Sequence, residues 1–194
     1  MNDALLWYAT RGAGAVSMLL LSAVVVLGIL TQARFAAPGW PRFLTAGLHR
    51  NLSLTAVGFL ALHVVTAVTD PFTHLGWAAA VVPFASSYRP LWVGLGAVAV
   101  ELLVAIVVTS VLRRVLGHGA WRAVHWLAYA SWPVAILHGL GSGTDAASGW
   151  MIALDVLGIG AVLAAMSARV LGPRRDPIGE HRARFRTSVR REVS

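Results

Sequence analysis

The feature that most constrains the fold of this 194-residue chain is a series of long, apolar runs with few charges. A helix needs about 20 mainly apolar residues to cross the hydrocarbon core of a bilayer. Membrane β-barrels instead need short segments of alternating polarity, which this sequence lacks. Five runs have the required length: Ala13–Leu30, Ala46–Thr69, Leu91–Leu112, Ala123–Gly141 and Trp150–Val170. The sequence therefore predicts an all-α, polytopic transmembrane helix bundle of about five spans.

The charges of the chain indicate how this bundle is oriented. The formal net charge of +8 comes from 16 arginines, because there is no lysine. With five spans, the N-terminus and the loops near 70–90 and 140–150 share one side, which carries only Arg11 and Arg89, so the other side carries 14 arginines. The positive-inside rule then predicts N-out, C-in topology for a multi-pass protein of the plasma (inner) membrane. Because membrane topology explains where the arginines lie, the positive charge does not indicate nucleic-acid binding, and we expect no nucleic-acid partner.

The chain divides into a membrane domain, residues 1–171, and a basic, cytoplasmic tail, residues 172–194. The tail could lie on anionic lipid or bind an acidic partner, or it could be a solvated segment that enforces topology. It contains no dinucleotide-binding glycine fingerprint, so we expect no flavin or NAD(P)H domain. The chain has no cysteine, which excludes disulfides, iron–sulfur clusters and covalently attached haem.

Four histidines in the predicted spans are the main candidates for function. His49 and His63 lie 14 residues apart on the second span, and His125 and His138 lie 13 apart on the fourth. Because these spans are parallel, like depths face each other, and we expect His49 beside His125 on the inner side and His63 beside His138 on the outer side. The two levels lie roughly 20 Å apart. Two such pairs could hold two haems, one per leaflet. A single buried histidine would more simply be a hydrogen-bonded structural residue.

The direction in which these side chains point is less simple. A separation of 14 residues returns to within about 40° of the starting direction on an ideal helix, whereas 13 residues leave His125 and His138 well over 90° apart. Pro133 lies between them and can kink or locally rewind the helix. We therefore expect a distortion of the fourth span.

Two stretches, "LHRNLSLTAVGFLALHVVTAVTDPF" and "WRAVHWLAYASWPVAILHGLGSGTD", resemble the histidine helices of the ferric reductase-like transmembrane family. Members include the membrane domains of ferric reductases and NADPH oxidases. The resemblance implies two haem b groups, with His49 and His125 as ligands of one and His63 and His138 as ligands of the other. Larger relatives have six helices and carry a flavin and nicotinamide domain, unlike this chain.

The expected function is that of a b-type cytochrome that relays electrons across the membrane as an electron-transfer subunit. The donor would be a cytoplasmic or quinol donor, and the acceptor an extracytoplasmic redox protein or ferric iron. The alternative is a non-redox transporter or channel that uses intramembrane histidine, glutamate and aspartate. Such a protein would bring its polar residues together in one cavity with broken helices.

Several charged residues are secondary candidates. Arg50 and Arg122, and with them Arg113 and Arg114, could pair with propionates of the inner haem, although the positive-inside bias explains them equally well. Arg89 is the corresponding candidate outside. The remaining candidates are acids that could orient a ligand, carry protons or attract a cation, or could simply be structurally paired or solvated: Glu101, Asp155, Asp70 and Asp145, the last two with His74.

Overall fold

The computed structural model describes residues 3–33, 35, 40–71, 73–143 and 145–171, and within these ranges it contains helices and no strands. Arg34, His181 and the whole basic tail, residues 172–194, lie outside the described residues. The helices are α1 (Asp3–Gln32), α2 (Arg42–Thr69), α3 (Gly76–Val81), α4 (Pro90–Val111), α5 (Arg113–His125), α6 (Ala128–Ser142) and α7 (Gly149–Leu171).

Four of these helices are long and apolar enough to cross a membrane, which indicates a membrane protein. They are Ala4–Gln32, Phe43–Thr69, Pro90–Val111 and Gly149–Leu171. These four match the first, second, third and fifth predicted spans. The predicted fourth span, Ala123–Gly141, is divided between α5 and α6, and α6 has only 15 residues. The all-helical prediction is thus confirmed, with four candidate spans in the described part of the chain.

The division between α5 and α6 is a short stretch in which the helix is wound more tightly. Three backbone amides here donate to the carbonyl three residues earlier, at 2.9–3.1 Å: Leu127, Tyr129 and Ala130. This is 3₁₀ bonding, with 3.0 residues per turn instead of 3.6. Each residue wound in this way turns the chain by roughly 20° more than an α-helical residue does. The tightened stretch therefore rotates His138 toward the face of the segment that carries His125.

Pro133 has a smaller part in this distortion than expected. It lies within the continuous helix α6, and the tightened turn lies before it. Proline has no amide hydrogen and its ring crowds the carbonyl four residues earlier, which here belongs to Tyr129 inside the tightened stretch. The tightened turn in the fourth predicted span is therefore centred about two turns before the proline.

The packing of the helices leaves space between α2, which carries His49 and His63, and α6, which carries His138. α2 packs along α1, α6 packs along α4, and α1 also contacts α6 and α7. Within the described residues, α2 and α6 do not pack along each other. Small residues such as Ala13, Ser17 and Ala97 are buried where helices meet, as is common in membrane bundles. Large apolar side chains point outward, including Val108, Val156 and Leu157, which suits contact with lipid.

Candidate metal centre

The structure brings the four histidines together as two pairs. The ring centroids of His49 and His125 lie 6.3 Å apart, and those of His63 and His138 also lie 6.3 Å apart. The ring planes within the pairs are inclined at 70° and 77°. In each pair one ring comes from α2 and the other from the α5–α6 segment. The pairing predicted from depth is therefore the pairing that the fold produces.

The spacing within each pair is that of two imidazoles on opposite sides of one metal. A metal–nitrogen bond is about 2.0 Å long, and Nε2 lies about 1.1 Å from the ring centre, so the centroids of two such ligands are roughly 6 Å apart. The observed 6.3 Å matches this value at both levels. The distance between the rings of either pair is therefore the one that a shared metal atom requires.

Three of the four rings are oriented by backbone carbonyls. The Nδ1–H group of His49 donates to the Val24 carbonyl at 3.0 Å, that of His63 to Thr10 at 2.8 Å, and that of His138 to Trp92 at 2.7 Å. This bond fixes the tautomer, so that Nε2 carries the free electron pair that binds a metal. Metal-binding histidines usually make such a bond with their second nitrogen. No pattern in the sequence identifies these carbonyl partners directly.

Glycines on α1 and α4 make room for the same three rings. A Cβ atom on Gly14 would lie 3.0 Å from the His63 ring, and one on Gly28 would lie 3.3 Å from the His49 ring. On Gly96 it would lie 2.6 Å from the His138 ring. The Gly14–Gly28 separation equals the His49–His63 separation, which is a signal that sequence analysis could have used.

An apolar cavity of about 270 Å³ lies at the level of His63 and His138. Residues of α1, α2, α4, α6 and α7 line it, and most of them are apolar, including Met18, Leu21 and Leu103. Gly14 and Gly96 line it as well, so a Cβ at either position would enter the space beside the rings. The walls suit a flat, apolar group, and His63 and His138 line the same space.

The number of ligands argues against a bare metal ion. Within the described ranges no group of three or more histidine, cysteine, aspartate or glutamate side chains is placed to bind one metal. A structural zinc site normally has four protein ligands, and each pair here offers two. A porphyrin supplies four nitrogens to its metal and leaves room for up to two further ligands, a number that matches the two imidazoles of each pair. The residues present therefore fit haem.

The arginines predicted for the inner level lie on exposed surface. Arg50 and Arg122 are exposed, and neither side chain makes a hydrogen bond or ion pair within the part of the chain that the structure describes. Arg114 is exposed too, whereas the Arg113 guanidinium lies over the Trp121 ring, 4.3 Å from its centroid. The assignment of Arg50 and Arg122 to propionates stays a prediction.

At the His63–His138 level the cation beside the cavity is Arg11 rather than Arg89. Arg11 lines the cavity, forms an ion pair with Asp145 and lies over the Trp7 ring. Arg89 is not among the lining residues, and its guanidinium donates to the Gly141 carbonyl at 2.6 Å. In the sequence Arg11 is indistinguishable from an arginine that only marks topology, because its place at the cavity depends on how α1 packs.

The acidic candidates also separate. Glu101 is exposed on α4, whereas Asp155 is buried on α7 and lines the cavity. Of these two acids, Asp155 is therefore the one that lies at the cavity of His63 and His138, where Glu101 was the first candidate. Asp70 is buried and lines the cavity, but His74 is exposed and does not. The described structure therefore does not join Asp70, His74 and Asp145 into one cation site.

Comparison of this chain with family models, with curated proteins and with solved structures found no match.

Proposed function

We propose that this protein is a membrane-embedded di-haem b-type cytochrome of the ferric reductase-like kind, which relays electrons between the two faces of the membrane. The observation that carries the proposal is the recurrence, at two heights of one bundle, of a histidine pair with centroids 6.3 Å apart. Haem held by two histidines supplies one-electron transfer and has no open position for oxygen.

The residues of the chain have distinct parts in this proposal. His49 and His125 bind the haem near the arginine-rich, cytoplasmic side, and His63 and His138 bind the haem near the outer side. Backbone carbonyls bond the Nδ1 atoms of three of the rings, which leaves Nε2 of each as the nitrogen available to iron. Exposed Arg50 and Arg122 are available to the inner propionates, and Arg11, paired with Asp145, is the cation that lines the cavity at the outer level.

The proposed setting is a plasma (inner) membrane with the N-terminus outside and the C-terminus inside. In this arrangement residues 123–142, which comprise the end of α5 and the whole of α6, form the fourth of five spans, and the uneven arginine distribution supports this. Electrons would come from a cytoplasmic or quinol donor and leave to an extracytoplasmic redox protein or to ferric iron. The protein would thus act as the electron-transfer subunit of an oxidoreductase system.

The competing function is that of a non-redox transporter. That function requires polar residues that converge on one path through the bundle. The cavity contains His63, His138 and Asp155, but its lining includes neither His49 nor His125. The regular spacing at both levels is a requirement of bis-histidine ligation and not of transport, so it favours the cytochrome.

Haem analysis of the purified protein tests the proposal. We expect a b-type absorption band in the reduced-minus-oxidised spectrum and two haems per chain. Replacement of His63 or His49 by alanine should leave one, while His74→Ala, at an exposed position, should leave two. Absence of the band, or two haems in both ligand variants, would contradict the proposal.

A further inference from the structure

Three of the four histidines are held by the same local arrangement. A backbone carbonyl accepts the Nδ1–H group, and the residue four positions after that carbonyl is a glycine facing the ring: Thr10 and Gly14 for His63, Val24 and Gly28 for His49, Trp92 and Gly96 for His138. Helical side chains lean toward the N-terminus, so the side chain at the fourth position normally covers that carbonyl. Glycine leaves the carbonyl open to a ring from another helix.

The register of α4 shows where a fourth copy of this arrangement would lie. On α1 the two carbonyls, and the two glycines, are 14 residues apart. The same step on α4 leads from Trp92 to Ile106 and from Gly96 to Ser110. Ser110 is not a glycine, and its hydroxyl donates to the Ile106 carbonyl at 2.6 Å. The Thr109 hydroxyl donates to the same oxygen at 3.2 Å. This carbonyl is therefore already occupied by its own helix.

His125, the fourth histidine, is accordingly supported in another way. Its Nδ1 atom is buried and has no hydrogen-bond partner within the described residues. Its ring stacks on Trp121, with centroids 4.9 Å apart and planes inclined at 28°. The Trp121 Nε1–H group in turn donates to the Ser110 hydroxyl at 3.2 Å. Ser110 thus blocks the carbonyl and anchors the tryptophan that supports the ring.

We propose that the His49–His125 site is the weaker of the two haem sites, because Trp121 stacking replaces the carbonyl bond that holds the other three rings, and that Trp121 is its positioning residue. This inference rests on the proposed function, since the ligand is haem. A partner on the second nitrogen fixes the ring and makes it a stronger donor, and its loss commonly costs about 10–100-fold in metal affinity. The His49–His125 site therefore releases haem about 10–100-fold faster.

Haem transfer to an excess of a soluble haem-binding apoprotein tests this difference. The full chain should release haem in two phases. His63→Ala, which retains the His49–His125 site, should show the fast phase, and His49→Ala, which retains the His63–His138 site, should show the slow phase. Trp121→Leu should accelerate the fast phase alone, while Trp121→Phe, which keeps a stacking ring, should restore most of the stability of that site. Equal rates, reversed phases or acceleration of the slow phase by Trp121→Leu would overturn the inference.

Nitrogen NMR of the full chain labelled with ¹⁵N-histidine gives a readout that does not depend on haem release. The sample is reduced so that any bound iron is low-spin and diamagnetic, and signals are assigned with single histidine-to-alanine variants. We expect hydrogen-bonded Nδ1–H signals from His49, His63 and His138, and a signal without this character from His125. An equivalent signal from His125 would overturn the inference. A chain that binds no haem would instead contradict the proposed function, while the NMR result would still decide how His125 is held.

Discussion

The two histidine levels have the same spacing and different supports. At the His63–His138 level both rings donate to carbonyls and both face glycines, beside a cavity that also contains the Arg11–Asp145 ion pair. At the other level His49 has this support, whereas His125 stacks on a tryptophan. The distance between the rings is thus set by how the helices are placed. The hydrogen bonding of each ring is set by a few residues on the helix behind it.

Gly96→Ala should produce the largest difference between the levels. The added Cβ would lie 2.6 Å from the His138 ring, so the ring must move and lose its bond to the Trp92 carbonyl. We expect at least a tenfold loss of haem affinity at the His63–His138 site and none at the other, measured by haem titration. Gly12→Ala is the matched control on α1, because a Cβ there meets nothing within 4 Å. Equal losses at both sites would show that Gly96 does not act specifically on the His63–His138 site.

Gly28→Ala tests the His49–His125 level with a milder change. The new Cβ would lie 3.3 Å from the His49 ring, a gap that a small shift of the ring can accommodate. We expect a loss of a few-fold in haem affinity, smaller than for Gly96→Ala and confined to this level. The control is Gly58→Ala on α2, which meets nothing within 4 Å. An effect of Gly28→Ala that exceeds that of Gly96→Ala would contradict the assigned contacts.

These glycines show how much of the site could be predicted from the sequence. Pairing by depth needed only the positions of four histidines and the direction of two spans, and the fold produces those pairs. The relative direction of His125 and His138 depends on 3₁₀ bonding around residue 127, which the helix propensities of these amino acids do not predict. The carbonyl partners could not be predicted because they depend on which helix lies behind each ring. The positions of Arg11 and Asp155 at the cavity could not be predicted for the same reason, because they depend on how the helices pack.

Removal of the Arg11–Asp145 ion pair should have a smaller effect. This partly buried pair links α1 to the segment after α6. Arg11→Ala leaves Asp145 without its partner, which we expect to cost about 1–2 kcal/mol of unfolding free energy after solvent screening. Thermal unfolding in detergent measures it. Because the two residues interact, the Arg11→Ala/Asp145→Ala variant should lose less than the sum of the single variants. Additive losses would show that the pair contributes nothing.

Trp132→Phe should have the smallest effect and should not distinguish the levels. The Trp132 Nε1–H group donates to the Ser22 hydroxyl at 3.0 Å, and this bond joins α6 to α1 about midway between His125 and His138. Loss of one hydrogen bond costs about 1 kcal/mol of unfolding free energy. Haem release from both sites should change by the same small factor, measured by the transfer assay. A change at one level alone would show that Trp132 belongs to that site.

Electron paramagnetic resonance of the oxidised protein is the decisive test of bis-histidine ligation at two levels, because it reports the axial ligands of each ferric iron. Two pairs of imidazoles, with planes inclined at 70° in one pair and 77° in the other, should give two low-spin signals of the strongly anisotropic type that nearly perpendicular ligand planes produce. Replacement of His138 by alanine should abolish one signal and leave the other unchanged. A high-spin spectrum, or the absence of any ferric haem signal, would contradict bis-histidine ligation at two levels of the bundle.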